Sequence, residues 1–186
     1  ALKLAALDKN YNVVYLARPC QYVNLIKEKL CKVPYWTQKR FSNKVIVAIN
    51  EAINIFKLKG GVDRIHLVGY SGGGAVAALA ASRRKDIASL RTVAGYMDHI
   101  SLNRETGVSP LKGSLDPIRA APYLKFIPQI HYSGNEDERI PKWVAQNFRK
   151  AVGNNACTSV QKVNATHGNG WEKVWGRVWS KIPICH

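Results

Sequence analysis

Residues 65–81 read IHLVGYSGGGAVAALAA, and this stretch decides the fold. A short apolar run of Ile65, Leu67 and Val68 gives way to Gly69-Tyr70-Ser71-Gly72-Gly73, and an Ala-rich segment follows. The order predicts strand, sharp turn and helix, with Ser71 at the apex. G-x-S-x-G in that setting is the signature of a nucleophile elbow. The apical residue of such a turn has a strained backbone, and side chains at Gly69 and Gly73 are expected to collide where strand and helix pass closely. The serine hydroxyl then stands at a helix N-terminus, where N–H groups and the helix dipole can receive an oxyanion. Two other glycine-rich loops fit less well. A dinucleotide loop has its second glycine where Ser71 stands, and a P-loop needs a Gly-Lys-Ser/Thr that is absent here.

Outward from this stretch, strands and helices alternate, which predicts an α/β domain with a mainly parallel sheet and helices on both faces. Residues 1–7 read as the end of a helix. Residues 12–17, NVVYLA, read as a strand whose continuous apolar character implies burial on both faces. Residues 18–41 form an irregular, Cys-, Pro- and aromatic-rich loop. Ser42 can cap a helix with the apolar stripe Val45, Ile49, Ala52, Ile53 and Phe56, ending at Gly60-Gly61. Strands are expected at 90–94, 126–132 and 157–163, with a helix from about 141 to 152. Residues 95–125 lack a long periodic segment and read as an excursion, a small cap. Trp171, Trp175 and Trp179 recur at four-residue spacing, which fits a last helix packed on the sheet better than a ligand or membrane stripe.

With 186 residues, the chain is expected to form a single domain over residues 1–186, and 46% apolar with 22% charged residues fits a globular protein. No stretch approaches the length needed to cross a membrane as a helix. The sequence opens Ala-Leu-Lys-Leu rather than with Met and shows no signal peptide, which reads as a processed or trimmed product. Twenty-eight basic against 12 acidic side chains give a formal charge of +16, which favours attraction to anionic surfaces. The basic residues are scattered, so specific nucleic-acid binding is disfavoured. The tightest run, Arg83-Arg84-Lys85, falls where the helix after Ser71 should end and suits its dipole. Four cysteines, Cys20, Cys31, Cys157 and Cys185, include no Cys-x-x-Cys pair, which argues against a zinc site. Two disulfides, Cys20–Cys31 and Cys157–Cys185, fit the spacing and an oxidising compartment; buried free thiols are the alternative.

A serine nucleophile needs a base and a carboxylate to hold that base in the right tautomer. Of five histidines, His66 and His131 fall inside expected strands and His186 is terminal. His167 stands in a loop after the last strand, Asn164-Ala165-Thr166-His167-Gly168-Asn169-Gly170-Trp171, where sites of open parallel sheets assemble. The acid belongs on an intervening loop, and Ser133-Gly134-Asn135-Glu136-Asp137-Glu138 supplies Asp137. Asp98 is its rival. Asp98 and His99, with Tyr70, are otherwise candidates for a substrate pocket.

GYSGG, G-x-x-D-x-x-I-P ending at Pro141 and H-G-x-G-W ending at Trp171 follow one another in the order and spacing of the α/β-hydrolase fold. With Arg18-Pro19-Cys20-Gln21-Tyr22, Tyr35-Trp36-Thr37, Arg40-Phe41-Ser42 and Leu90-Arg91-Thr92-Val93-Ala94-Gly95, the whole chain resembles a group of exported bacterial α/β-hydrolases, often lipoproteins. The resemblance implies Ser71 as nucleophile, Asp137 as acid, His167 as base and the Gly72 N–H as one oxyanion donor. It implies a small-molecule or lipid-like ester substrate, no metal or organic cofactor, and a periplasmic, cell-envelope or secreted location. An acyltransferase would use the same residues, and a non-catalytic binding protein could occupy the same scaffold. The family's second oxyanion donor comes from a Gly-rich loop upstream of its first helix, and this chain starts in that helix. The strand preceding that loop lies, in the family, between the strands corresponding to residues 12–17 and 65–68. A preceding segment of several tens of residues is therefore expected, and direct pairing of those two strands would contradict it.

Overall fold

A computed structural model describes residues 1–24, 27–153 and 157–185. Four parallel strands form one sheet in the order β1 (Ile65–Tyr70), β2 (Ile87–Val93), β3 (Gln129–Glu136) and β4 (Thr158–Thr166). Helices cover both faces, as the alternating pattern predicts. On one side lie α2 (Asn43–Gly60), α3 (Gly72–Ala81) and α6 (Lys142–Val152); on the other lie α1 (Leu2–Leu7) and α7 (Trp171–Val178). The β2–β3 crossover carries α4 (His99–Glu105) and α5 (Pro117–Ala120). Its Leu102, Leu111, Ala121 and Leu124 are buried against the α3 and α6 side of the core, while residues 104–110 are exposed.

The period of two along each strand sorts side chains between the faces. Val93, Ile130 and Tyr132 pack with Trp171 and Trp175 of α7. From the same side, the Arg91 guanidinium lies 4.9 Å from the Trp175 ring and donates to the Trp179 carbonyl. Leu90 joins the opposite cluster, and His131 meets Phe148 of α6 edge-on at 5.1 Å. The tryptophan stripe is thus core packing, with Trp171 and Trp175 buried and Trp179 at the margin.

Several boundaries move for physical reasons. The third strand starts at Gln129 rather than 126, because Pro128 has no N–H for a ladder and Phe126 is exposed. Helix α2 begins after Ser42, but the Ser42 hydroxyl makes no cap bond, and the buried stripe is Val45, Ile46, Ile49 and Ile53 while Phe56 is part-exposed. Its end is a left-handed Gly61, φ 60°. The basic run directly follows the α3 C-terminus, and its Arg84 side chain is engaged elsewhere. Arg84 forks onto Asp86 at 2.7 and 2.8 Å, and Lys57 joins the same carboxylate at 2.8 Å. Hydrogen bonds from Arg84, with Lys57, hold the Asp86 carboxyl down at about 2.

Residues 12–17 do not form the expected strand. They lie outside regular secondary structure and are unpaired, with Val13 and Val14 exposed. They face β1 across a groove of about 560 Å³ whose walls include Val14, Leu16, Ile53, Leu67 and Val76. A two-sided apolar run specifies a strand only when a ladder partner lies within hydrogen-bonding distance, and here β1 does not pair with it. β1 is accordingly an edge strand among the described residues. Ile65 N–H donates to Asp86 and Ser71 N–H to Val93, so alternation turns His66, Val68 and Tyr70 main-chain groups toward the groove.

Both disulfides, Cys20–Cys31 and Cys157–Cys185, are present, and the described residues include no free cysteine. Two such bonds fit an oxidising environment. Among the described residues no helix is long and apolar enough to cross a membrane.

Candidate active site

The carboxyl ends of β1, β3 and β4 deliver three side chains to one place. Ser71 sits between β1 and α3 at φ 51° and ψ −122°, a conformation that L-residues rarely adopt. The tight turn depends on Gly69, where a Cβ would stand 2.3 Å from the Gly73 carbonyl oxygen. Gly73 itself is uncrowded, contrary to the expectation for that position. The second close approach is at Gly74, where a Cβ would lie 2.9 Å from the Gly95 Cα.

The Ser71 hydroxyl is 3.1 Å from His167 Nε2, and His167 Nδ1 is 3.0 Å from Asp137 Oδ2. Asp137 has its own support, since its Oδ1 accepts from the N–H groups of Arg139 and Ile140 at 3.0 and 2.9 Å. The carboxylate is fully buried, while the imidazole keeps partial access to solvent. Glu136 and Glu138 point away and are exposed. A carboxylate fixed by two main-chain donors, an imidazole with its Nδ1 side turned to it, and a hydroxyl on the other ring nitrogen form a continuous hydrogen-bonded line of the kind that can relay a proton. The Gly72 N–H opens α3, at the first helical position, where a donor has no intrahelical acceptor. The Phe41 ring closes the space beside it, 3.4 Å from where a Gly72 Cβ would be.

The structure does not bring Asp98 and His99 to this relay. Asp98 caps α4 by accepting from Ser101 N–H at 3.1 Å. Buried His99 packs on Phe41 and Tyr96 and places Nε2 3.0 Å from the Leu115 carbonyl. Both are interior groups, which fits structural support better than a pocket lining. Nearby, burial raises the Asp116 carboxyl above its ordinary range. Tyr70 does not present a free hydroxyl to a substrate either, because it donates to the His167 carbonyl. Trp171 Nε1 donates to that same oxygen at 3.0 Å. These two contacts are invisible in the motifs, although GYSGG and H-G-x-G-W contain both residues. Among the described residues no group of three His, Cys, Asp or Glu side chains could hold a metal ion.

The same architecture occurs in solved structures. An esterase from Pyrococcus furiosus superposes with TM-score 0.56 at 16% identity, over 76% of this chain and 63% of that one. An α/β-hydrolase enzyme from a lagoon-sediment metagenome, Mar Chica, Morocco, gives 0.54 at 16% identity over 81% and 67%. The acylaminoacyl peptidase of Pyrococcus horikoshii gives 0.63 at 15% identity, over 80% of this chain and 27% of the peptidase. No protein-family model and no curated protein matches the chain. The fold is thus defined: this is an α/β-hydrolase fold. The chain spans 63% of the length of the furiosus esterase and about a quarter of the peptidase.

Proposed function

We propose that the protein is a serine hydrolase that cleaves a carboxylic ester or related acyl bond. The observation that carries this reading is the continuous relay from Ser71 through His167 to Asp137, at 3.1 and 3.0 Å, on a strained elbow. In the proposed cycle His167 Nε2 takes the Ser71 proton as Oγ attacks the carbonyl carbon. The tetrahedral oxyanion forms against the Gly72 N–H, and Asp137 stabilises the imidazolium. Collapse expels the alcohol, which receives the proton from His167. Water, activated by the same histidine, then releases the acid and restores Ser71. A small or lipid-like ester fits this chemistry, and the fold neighbours include an esterase as well as a peptidase. Export to an oxidising compartment is supported by the two disulfides, and the +16 charge supports attraction to anionic surfaces.

The test is covalent labelling by a fluorophosphonate, with turnover of p-nitrophenyl butyrate measured in parallel. Wild type should label, and Ser71→Ala should neither label nor retain more than about 10⁻⁴ of the turnover. Equal labelling of folded Ser71→Ala would remove the serine from the mechanism.

A further inference from the structure

We propose that Tyr70 and Trp171 act as positioning residues, jointly clamping the His167 carbonyl so that the imidazole is held over Ser71; this rests on the serine-hydrolase reading above. The need for a clamp follows from the sheet order. Ser71 follows β1 and His167 follows β4, and these are the two outer strands of four. At about 4.8 Å between neighbouring strands they are separated by roughly 14 Å. Yet Ser71 Oγ and His167 Nε2 stand 3.1 Å apart. The loop carrying His167 must therefore lean across the ends of two intervening strands and be kept there.

Asp137 alone does not do this. It reaches only the Nδ1 edge of the ring and fixes the ring's rotation, while the β3–β4 ladder holds the main chain only as far as Thr166, opposite Glu136. The loop is first closed on itself: Thr166 N–H donates to the Asn169 carbonyl at 3.2 Å, and Asn169 N–H donates to Thr166 Oγ1 at 3.1 Å. That turn leaves the His167 carbonyl without a partner inside the loop. The carbonyl instead accepts from two side chains, the Tyr70 hydroxyl and Trp171 Nε1. Trp171 is buried in the α7 core and anchors the loop to its own helix. Tyr70 precedes Ser71 in sequence, so its hydroxyl ties the loop to the nucleophile's own strand. Its ring lies against the His167 ring, with centroids 5.7 Å apart.

Nucleophile and base are thereby joined twice, once through the reacting hydrogen bond and once through the residue beside the nucleophile. A displacement of about 1 Å at such a pair is enough to cost on the order of 100-fold in rate. Burial, with the Asp137 charge, raises the Tyr70 hydroxyl above the usual tyrosine range, so it stays protonated and able to donate at neutral and mildly basic pH.

Tyr70→Phe deletes the hydroxyl and keeps the ring. Expected for the full chain is a fall of about 10-fold or more in kcat for p-nitrophenyl butyrate and in the fluorophosphonate labelling rate, with KM unchanged. Loss of one hydrogen bond should lower Tm by only about 2–4 °C. Trp171→Phe, which attacks the same oxygen from the other side, should reduce kcat in the same way. The double variant should lose less than the product of the two single effects. Wild-type kcat and labelling rate in both folded single variants would overturn the clamp while leaving the hydrolase reading intact. A change in KM or Tm without one in kcat would overturn it equally. Failure of folded wild type to label would sink the hydrolase reading, and the clamp's role with it.

Discussion

Inside the sheet, His131 is a histidine that cannot easily accept a proton. It is fully buried, its Nδ1 is 2.8 Å from the Thr92 hydroxyl, and burial lowers its pKa to about 3. In the unfolded chain it would titrate near 6.5. Because the folded value is depressed, the unfolded state binds the extra proton between these limits, and stability drains away as pH falls from about 6.5 toward 3. Between pH 7.5 and 5.5 the loss attributable to this one residue is about 1.4 kcal/mol. Urea titrations of wild type and His131→Gln at the two pH values measure it, and the variant should lose about 1.4 kcal/mol less. Identical acid sensitivity would mean that His131 is not the group responsible. His66 is shifted in the same direction by desolvation and by the nearby Arg91 and Arg64 charges, and adds to the residual slope.

At the scale of elements, the elbow depends on how closely β1 and α3 pass. A methyl group at Gly69 would overlap the Gly73 main chain, whereas one at Gly73 meets nothing within 4 Å. Gly69→Ala should therefore cost at least about 3 kcal/mol. Gly73→Ala should be neutral or stabilising by about 0.5–1 kcal/mol, as expected for Gly→Ala in a helix. Thermal melts of the pair discriminate, and a wild-type Tm for Gly69→Ala would refute the close approach. The same elements show what a sequence can reveal. The convergence of Ser71, Asp137 and His167 is legible because each sits in a short local motif at the end of a strand, and strand ends of a parallel sheet converge. Disulfide partners were legible from spacing. The Tyr70–His167 contact joins residues 97 positions apart, and nothing local announces it. Tyr70 consequently reads as a pocket residue in sequence and as a loop tether in space. Residues 12–17 mislead for the opposite reason: their apolar run is a genuine strand signal, but strand formation is a property of pairs.

For the molecule as a whole, asymmetry of the sheet is the dominant feature. β2 and β3 are paired on both sides and β4 carries long pairing to β3, while β1 turns one row of main-chain groups to the groove. Hydrogen exchange should read this row directly. Amides of His66 and Val68 should exchange at least about 100-fold faster than those of Leu67 and Gly69, their immediate neighbours, because the latter point into the ladder with β2. Uniform protection along residues 65–70 would contradict the edge assignment. One strand then carries two clocks, a fast one facing the groove and a slow one facing the sheet. Whatever extended chain comes to lie in that groove would stop the fast clock alone, leaving a footprint of alternate amides that reports both its presence and its register.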